Sequence, residues 1–167
     1  KYTWDWRNHD YREEVVELTR EDIMDAVQAH GCRHLVITGG EPLIQQRALA
    51  PLVDGLKDRG FSFEVETNGT IAPLQSLVHD IDQWNVSPKL ASSGNTWHRR
   101  DVAGAMRTFA AMPNAFFKFV VVDRRDVDEV ESVFGTYGIE RDRVLLMPEG
   151  TSKPELQDRS TWLSELC

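Results

Sequence analysis

The sequence predicts an α/β protein built on a parallel β-sheet, and three observations point to that class. Short apolar runs typical of buried strands recur along the chain, separated by segments with helical periodicity. The ends of successive runs lie about 19 to 35 residues apart, which suits right-handed β-α-β crossovers. Glycine, proline and polar residues follow the runs, as expected where strands give way to turns. An open doubly wound sheet and a partial (β/α) barrel share this pattern, and periodicity does not choose between them.

Five segments have the composition of buried strands. The second alternates apolar and polar side chains and stops at Asn68-Gly69, and the fourth is the clearest apolar run. We expect the five strands to be parallel and to lie in the sheet in sequence order. The predicted strands are residues 34–38, 61–67, 83–86, 115–122 and 144–147.

Helical patterns lie before, between and after these strands. The first begins at a capping arrangement of Thr19 with Asp22 and ends before Gly31. The second, 43–56, contains Pro51, which we expect to kink or break it. The remaining predicted helices are residues 72–78, 101–110 with Asp101 as its N-cap, 127–134 and 155–166.

Composition and charge narrow the classes of partner. The 167 residues, 41% of them hydrophobic, are enough for one domain, and we expect a single domain over residues 1–167. The net charge of −8, with no block of Lys or Arg, argues against a nucleic acid or an anionic membrane as partner. The longest apolar runs are of strand length, far short of a membrane span.

The two cysteines indicate a reducing compartment. Cys32 and Cys167 form no C-x-x-C pair and no disulfide framework, and no signal peptide is visible, so we expect a cytoplasmic protein. The histidines show no metal-ligand spacing, and we predict no metal ligands in this chain. Because the sequence opens with Lys1 and ends within a helical pattern, we expect it to be truncated at both ends.

Unusual residues follow four of the five predicted strands. Any one of these segments is compatible with ordinary turn chemistry. Because the carboxyl ends of parallel strands meet at one edge of the sheet, the four together predict a ligand site there. The segments are Thr38-Gly39-Gly40-Glu41-Pro42, Glu66-Thr67-Asn68-Gly69-Thr70, Ser87-Pro88-Lys89 and Met147-Pro148-Glu149-Gly150.

The Gly-Gly-Glu-Pro segment has a physical interpretation. Its two glycines permit positive φ and let a ligand approach the backbone, and Pro42 suits the first position of a helix. Glu41 is then placed to receive a cationic group, or alternatively to stabilise the dipole of the following helix. The segment is not a phosphate loop, because G-x-x-x-x-G-K-[ST] is absent.

Two further segments also have alternative interpretations. Asn68-Gly69 after a strand is a common turn as well as a possible ligand contact. Ser87-Pro88-Lys89 offers a hydroxyl and an ammonium group beside a rigid proline, although alone it resembles a surface loop with a solvated lysine.

The combination of these motifs resembles the radical S-adenosylmethionine (SAM) enzymes, and most of all the 7-carboxy-7-deazaguanine synthase family. Gly-Gly-Glu-Pro alone is shared by many radical SAM enzymes. The opening Trp4-Asp5-Trp6 resembles the segment that follows the cluster motif C-x3-C-x2-C in this family, and residues 146–150 add a further match. The resemblance covers nearly the whole chain and implies a partial (β/α) barrel of the radical SAM type with its first strand missing.

The resemblance also implies an activity. A reduced [4Fe–4S] cluster would cleave SAM to methionine and a 5′-deoxyadenosyl radical. The radical would abstract hydrogen from 6-carboxy-5,6,7,8-tetrahydropterin, which contracts to 7-carboxy-7-deazaguanine with loss of ammonia. The family also uses Mg²⁺, and its members are typically homodimers that receive electrons from a flavodoxin-like partner.

Roles for individual residues follow from the same resemblance. Thr38 would contact the pterin, and the other positions would hold SAM. Glu41 would accept a hydrogen bond from the SAM ammonium group. The positions assigned to SAM are Gly39, Gly40, Glu41, Asn68, Ser87, Pro88, Lys89, Met147, Pro148, Glu149 and Gly150.

The cysteine pattern departs from that of the family. Cluster ligation needs converging thiolates, whereas Cys32 is expected at the edge opposite the site and Cys167 is terminal. We therefore expect the chain to be an internal piece that lacks the cluster loop and does not turn over by itself. The alternatives are another radical SAM enzyme, such as a glycyl-radical activating enzyme, and a non-redox α/β module that binds a nucleotide or serves as a scaffold.

Overall fold

Five parallel strands form one sheet in sequence order in the computed structural model, which describes residue 10 and residues 15–166. The predicted parallel pairing and strand order are confirmed. No predicted strand end differs from the structure by more than one residue. The strands are β1 (His34–Ile37), β2 (Ser62–Thr67), β3 (Gln83–Val86), β4 (Ala115–Val121) and β5 (Val144–Pro148).

Seven α-helices lie within the described residues. The Thr19–Asp22 capping box is present at the first, and a second box formed by Ser152 and Glu155 begins the last. The helices are α1 (Arg20–Ala29), α2 (Gln46–Lys57), α3 (Gln75–Val78), α4 (Trp97–Arg100), α5 (Ala103–Ala110), α6 (Arg124–Tyr137) and α7 (Lys153–Ser164). Short 3-10 turns cover Pro42–Gln45, Ala91–Ser93 and Arg141–Arg143.

The predicted helix ends differ from the structure by up to three residues, and α4 was not predicted. The predictions for Pro51 and Asp101 also differ from the structure. Helix α2 continues through Pro51 rather than breaking there. Pro51 is exposed, so the Arg47 carbonyl that loses its helical partner faces water. Asp101 does not cap α5, whose N-cap is Val102 without a side-chain bond. The Asp101 carboxylate instead accepts a hydrogen bond from the Tyr137 hydroxyl of α6.

One face of the sheet carries the core. Side chains of alternate residues in β2, β3 and β4, among them Phe63, Trp84 and Phe117, are at most 3% exposed beneath the helices. Sequence-order strands joined by right-handed crossovers place their helices on a single face. This arrangement has no reversal of strand order, which distinguishes a partial (β/α) barrel from a doubly wound sheet and confirms the former.

The other face of the sheet, which we call the inner face, is open and largely polar in its centre. Glu64 and Glu66 of β2, Asn85 of β3 and Lys118 of β4 alternate with the core residues of their strands and so lie on it. Asn85 donates to the Glu64 carboxylate at 2.9 Å. No helix within the described residues covers these polar side chains, so a ligand can reach them.

Two sequence features lie outside the described residues, namely the Trp4-Asp5-Trp6 start and Cys167. Within the described residues, no helix has the length and apolar character needed to cross a membrane.

Candidate functional site

A cavity of about 430 Å³ opens at the carboxyl ends of the strands, on the inner face. All five strands or the turns that follow them contribute to its lining. It brings together seven of the residues predicted for the site, which are Thr38, Gly39, Gly40, Asn68, Ser87, Lys89 and Met147. Its other lining residues are Glu66, Thr67, Thr70, Asn85, Asn95, Arg99, Arg100, Lys118 and Val120.

The turn after β1 presents backbone rather than side chains to the cavity. Gly39 has φ +146°, a conformation that side chains rarely permit. A Cβ atom at Gly40 would meet no atom within 4 Å. The two glycines therefore leave the peptide groups of this turn open to a ligand.

Glu41 is engaged with the chain itself. Its carboxylate accepts hydrogen bonds from the Leu43 N–H at 3.0 Å, the Asn68 N–H at 2.8 Å and the Thr67 hydroxyl at 2.9 Å. Both carboxylate oxygens are thereby used, and Glu41 is not among the residues that line the cavity. It joins the turn after β1 to the end of β2 and caps the short 3-10 turn that Pro42 begins.

The turn after β2 is closely packed. Asn68 accepts hydrogen bonds from both the N–H and the hydroxyl of Thr70, at 2.9 and 2.6 Å. Gly69 has φ +77°, and a Cβ atom there would lie 2.8 Å from the Val86 Cγ1 atom. Asn68-Gly69 is thus a structural turn, and its Asn68 also lines the cavity.

The segment after β3 supplies the first cation of the cavity. Ser87 extends the ladder by donating its N–H to the Thr67 carbonyl at 2.7 Å. The Lys89 ammonium group donates to the Ser87 hydroxyl at 3.3 Å. Partial burial, and then the nearby charge of Lys118, lower the pKa of Lys89. Pro88 is buried and lines an adjoining cavity of about 480 Å³ instead.

The segment after β5 divides between the cavity and the scaffold. Met147 lines the cavity with 43% of its surface exposed. Glu149 forms an ion pair with Arg159 of α7 and lines the adjoining cavity. Pro148 pairs with Val121 in the sheet, and Gly150 packs against Leu156, so neither lines the main cavity.

A clamp holds the loop between β3 and α5 in place. Arg100 and Glu129 form an ion pair whose side chains are only 11% and 20% exposed. Glu129 also accepts the Ala91 N–H at 2.9 Å, and Arg100 donates to the Lys89 carbonyl at 3.4 Å. The clamp fixes the loop that carries Lys89, Asn95 and Arg99 into the cavity wall.

Sequence reasoning missed Asn85, Lys118 and Val120 on the inner face and the loop residues 95–100. It included Glu66 in the segment after β2 but gave it no role, although Glu66 alternates with the buried positions of that strand. Lys118 is the charged residue in an otherwise apolar strand, which is also a signal. The loop residues offered none, because the four-residue helix α4 is too short to show a period.

The described residues hold no ligand set for a metal. No group of three or more His, Cys, Asp or Glu among them is placed to bind a metal ion. Cys32 is exposed just before β1, at the edge opposite the cavity, and donates to the His34 carbonyl at 3.3 Å. These residues do not fit an iron–sulfur cluster or a magnesium ion.

Comparison with known proteins identifies the family. The family model for a 4Fe–4S single cluster domain matches residues 2–95. The chain belongs to this family. The match includes the turns after β1 and β2 and the Ser87-Pro88-Lys89 segment, but ends before the clamp and Lys118.

Curated relatives extend the similarity to most of the chain. The 7-carboxy-7-deazaguanine synthase of Pyrobaculum aerophilum is 41% identical over 93% of this chain. The proteins of the same name from Halobacterium salinarum and Rhodopirellula baltica are 37% and 30% identical over 90% and 94% of it. The chain spans 65%, 65% and 64% of the lengths of these relatives. They confirm the resemblance found in the motifs.

A solved structure agrees with the fold. The crystal structure of QueE from Escherichia coli is similar with a TM-score of 0.62 and 26% sequence identity. The alignment covers 89% of this chain and 61% of that one.

Proposed function

We propose that the protein acts as a 7-carboxy-7-deazaguanine synthase. The reaction is the SAM-dependent contraction of 6-carboxy-5,6,7,8-tetrahydropterin to 7-carboxy-7-deazaguanine with loss of ammonia. The observation that carries the proposal is that relatives of this name align with at least 90% of the chain at 30–41% identity. The cavity at the strand ends supports it, because it gathers most residues that the motifs assign to the two ligands.

The residues of the cavity suit the polar groups of SAM. The open peptide groups at Gly39 and Gly40 are placed to bond its amino-acid end. Ser87 and Lys89 offer a hydroxyl and an ammonium group to a ribose or a carboxylate. When bound, SAM supplies the hydrogen-abstracting group of this chemistry. Asn68 and Met147, on opposite walls, complete the proposed site.

Glu41 contributes to this site without lining the cavity. Since both its oxygens accept hydrogen bonds from the chain, we assign it to holding the turns after β1 and β2 in register. Pro88, Pro148, Glu149 and Gly150 shape the neighbouring turns in the same indirect way.

Thr38 marks the proposed place of the pterin. Its hydroxyl donates to the Glu66 carboxylate at 3.1 Å, so this pair presents acceptor oxygens to the cavity. Acceptors of this kind suit the amino and ring N–H groups of a pterin. We extend the proposal to a single catalytic domain, a cytoplasmic location, a homodimer and a flavodoxin-like electron donor. It includes a [4Fe–4S] cluster and Mg²⁺ held by residues other than those described.

The proposal is tested with the full-length protein under anaerobic, reducing conditions. We expect conversion of 6-carboxy-5,6,7,8-tetrahydropterin to 7-carboxy-7-deazaguanine, detected by mass spectrometry and dependent on added SAM. SAM cleavage without this product would point to another radical SAM reaction. SAM binding without cleavage would point to a binding module, and either result contradicts the proposal.

A matched pair of variants ties the activity to the cavity. Lys89→Met removes an ammonium group from the lining, whereas Lys153→Met removes one from the exposed start of α7. We expect the first variant to raise the KM for SAM about tenfold or more, and the second to leave it unchanged. If both variants changed the KM for SAM equally, the cavity would not be the SAM site.

A further inference from the structure

Lys118 is a charged residue in the middle of the sheet, and no helix in the described part of the chain covers it. It lies between Phe117 and Phe119, both fully buried on the opposite face. Its side chain therefore points to the inner face, where it lines the cavity and is 34% exposed. A lysine in a central strand gives up hydration, which argues for a partner at this place.

The partner that the described residues provide satisfies Lys118 only in part. The ammonium group lies 3.6 Å from the Glu66 Oε1 atom, beyond normal hydrogen-bond distance. The other oxygen of Glu66 accepts the Thr38 hydroxyl. An ammonium group carries three donors, so Lys118 keeps donors for a ligand.

The charges that line the cavity do not balance. Among the described residues of the lining, Lys89, Arg99 and Lys118 carry positive charge and Glu66 alone is acidic, while Arg100 is neutralised by Glu129 outside. This positive cavity lies in a protein of net charge −8. Burial first, and then repulsion from Lys118, lower the pKa of Lys89, and the repulsion is relieved when an anion binds between the two ammonium groups.

Two carboxylates would enter this cavity under the proposed function, one from SAM and one from the pterin. Lys89 is bonded to Ser87, in the segment assigned to SAM. Lys118 is next to Glu66 and hence to Thr38, the residue assigned to the pterin. The two cations thus stand beside the places of two different ligands.

We propose that Lys118 binds the carboxylate of the pterin and is the residue that selects a carboxylated pterin over an uncharged one. This assignment rests on the proposed function. Glu66 is then a positioning residue, which directs the Lys118 ammonium group toward the ligand and keeps Thr38 beside it. The Thr38–Glu66 acceptors and the Lys118 ammonium group lie side by side, so they suit the neighbouring N5–H group and C6 carboxylate at one edge of the tetrahydropterin.

The test compares two fluorescent probes that differ only in the carboxylate, 6-carboxypterin and unsubstituted pterin. Dissociation constants are measured by fluorescence titration with the full-length protein in the presence of SAM. The variants are Lys118→Met, Lys118→Arg, which keeps the charge, and the surface control Lys153→Met. Thermal unfolding of each variant checks folding, and Lys118→Gln replaces the methionine variant if that one has no unfolding transition.

We expect Lys118→Met to raise the dissociation constant of 6-carboxypterin roughly ten- to a hundredfold, the range for one charge-assisted hydrogen bond. The dissociation constant of pterin should change less than about twofold. Lys118→Arg should recover most of the preference, and Lys153→Met should retain all of it. A purely structural role would weaken both probes equally, and so would overturn the assignment.

Two further outcomes separate this inference from the proposed function. If the unaltered protein prefers 6-carboxypterin and Lys118→Met prefers it equally, the assignment of Lys118 fails and the proposed function stands. If Lys118→Met weakens the binding of SAM in the absence of pterin but does not weaken the binding of 6-carboxypterin, Lys118 binds the carboxylate of SAM and the assignment is wrong. An unaltered protein that binds neither probe contradicts the proposed function itself.

Discussion

On the β1–β2 side of the cavity the polar groups bond mainly to one another, whereas on the β3–β4 side cationic groups face the cavity with few partners. Glu41 collects three donors from two turns on the first side. On the second side, Lys89 donates to one hydroxyl and Lys118 reaches Glu66 only at 3.6 Å. The first side has the properties of a preformed frame, and the second has the unsatisfied charge that a ligand completes.

The largest expected effect tests the tight packing of the frame. Gly69 and Gly94 have nearly the same φ, +77° and +75°, but an added Cβ meets Val86 at 2.8 Å in the first case and nothing in the second. Gly69→Ala should cost about 3 kcal/mol, the sum of left-handed strain and overpacking. Gly94→Ala, in the loop of the other side, should cost about 1 kcal/mol from strain alone.

Urea unfolding of both variants measures this difference. If Gly69→Ala lowered the free energy of unfolding no more than Gly94→Ala, the packing around Gly69 would adjust at little cost. The contrast between the two sides would then disappear.

The next prediction concerns the hydrogen bonds of Glu41. Glu41→Gln replaces one acceptor oxygen by an NH₂ group, which then faces an N–H or hydroxyl donor. We expect a loss of about 2 kcal/mol in the free energy of unfolding, because a hydrogen bond to a charged acceptor is lost in a half-buried position. The control is Glu155→Gln, in the exposed capping box of α7, which should lower the free energy of unfolding much less than Glu41→Gln does. Similar losses in both variants would show that Glu41 is an ordinary cap.

The smallest predicted effect is an increase in the free energy of unfolding, and it concerns Lys89 on the β3–β4 side. The pKa of Lys89 is lowered, so between its folded value and its usual value of 10.5 the unfolded chain binds more protons than the folded protein. Stability contributed by this group therefore rises with pH across that interval. The charged amine costs stability at neutral pH.

Lys89→Met should accordingly stabilise the protein slightly at pH 7, by roughly a few tenths of a kcal/mol because the group is partly solvated. The gain should shrink as the pH approaches 10.5, which thermal unfolding at several pH values measures. Lys153→Met should change stability little at any of them. A stability loss for Lys89→Met at pH 7 would place Lys89 with the frame rather than with the ligand-binding side.

The strands were predictable because burial leaves a local signal. In β2 the alternation of Phe63 and Val65 with Glu64 and Glu66 marks both the strand and its two faces. The effect of Pro51 in α2 and the N-cap of α5 were harder to predict. Pro51 is tolerated in α2 because it faces water, and Asp101 bonds Tyr137, 36 residues away, instead of capping its own helix. Neither fact is encoded in neighbouring residues.

The site was predictable where it is made of turns and not where it is made of contacts between strands. Gly39, Asn68 and Ser87 stand out because turn residues and the ends of strands coincide in the sequence. That Lys118 meets Glu66 depends on the register of β2, β3 and β4, which the sequence pattern does not specify. The full engagement of Glu41 with Thr67 is likewise a tertiary fact.

The sequence order of the strands has a consequence for how the protein assembles. Each strand pairs with strands that immediately precede or follow it in the chain, so no pairing has to wait for a strand that is distant in sequence. A nascent chain leaving the ribosome can therefore add β2, β3 and β4 one after another to an existing edge. Lys118 arrives with the fourth strand and Met147 with the fifth, so the described lining of the cavity is complete only after β5 has joined the sheet.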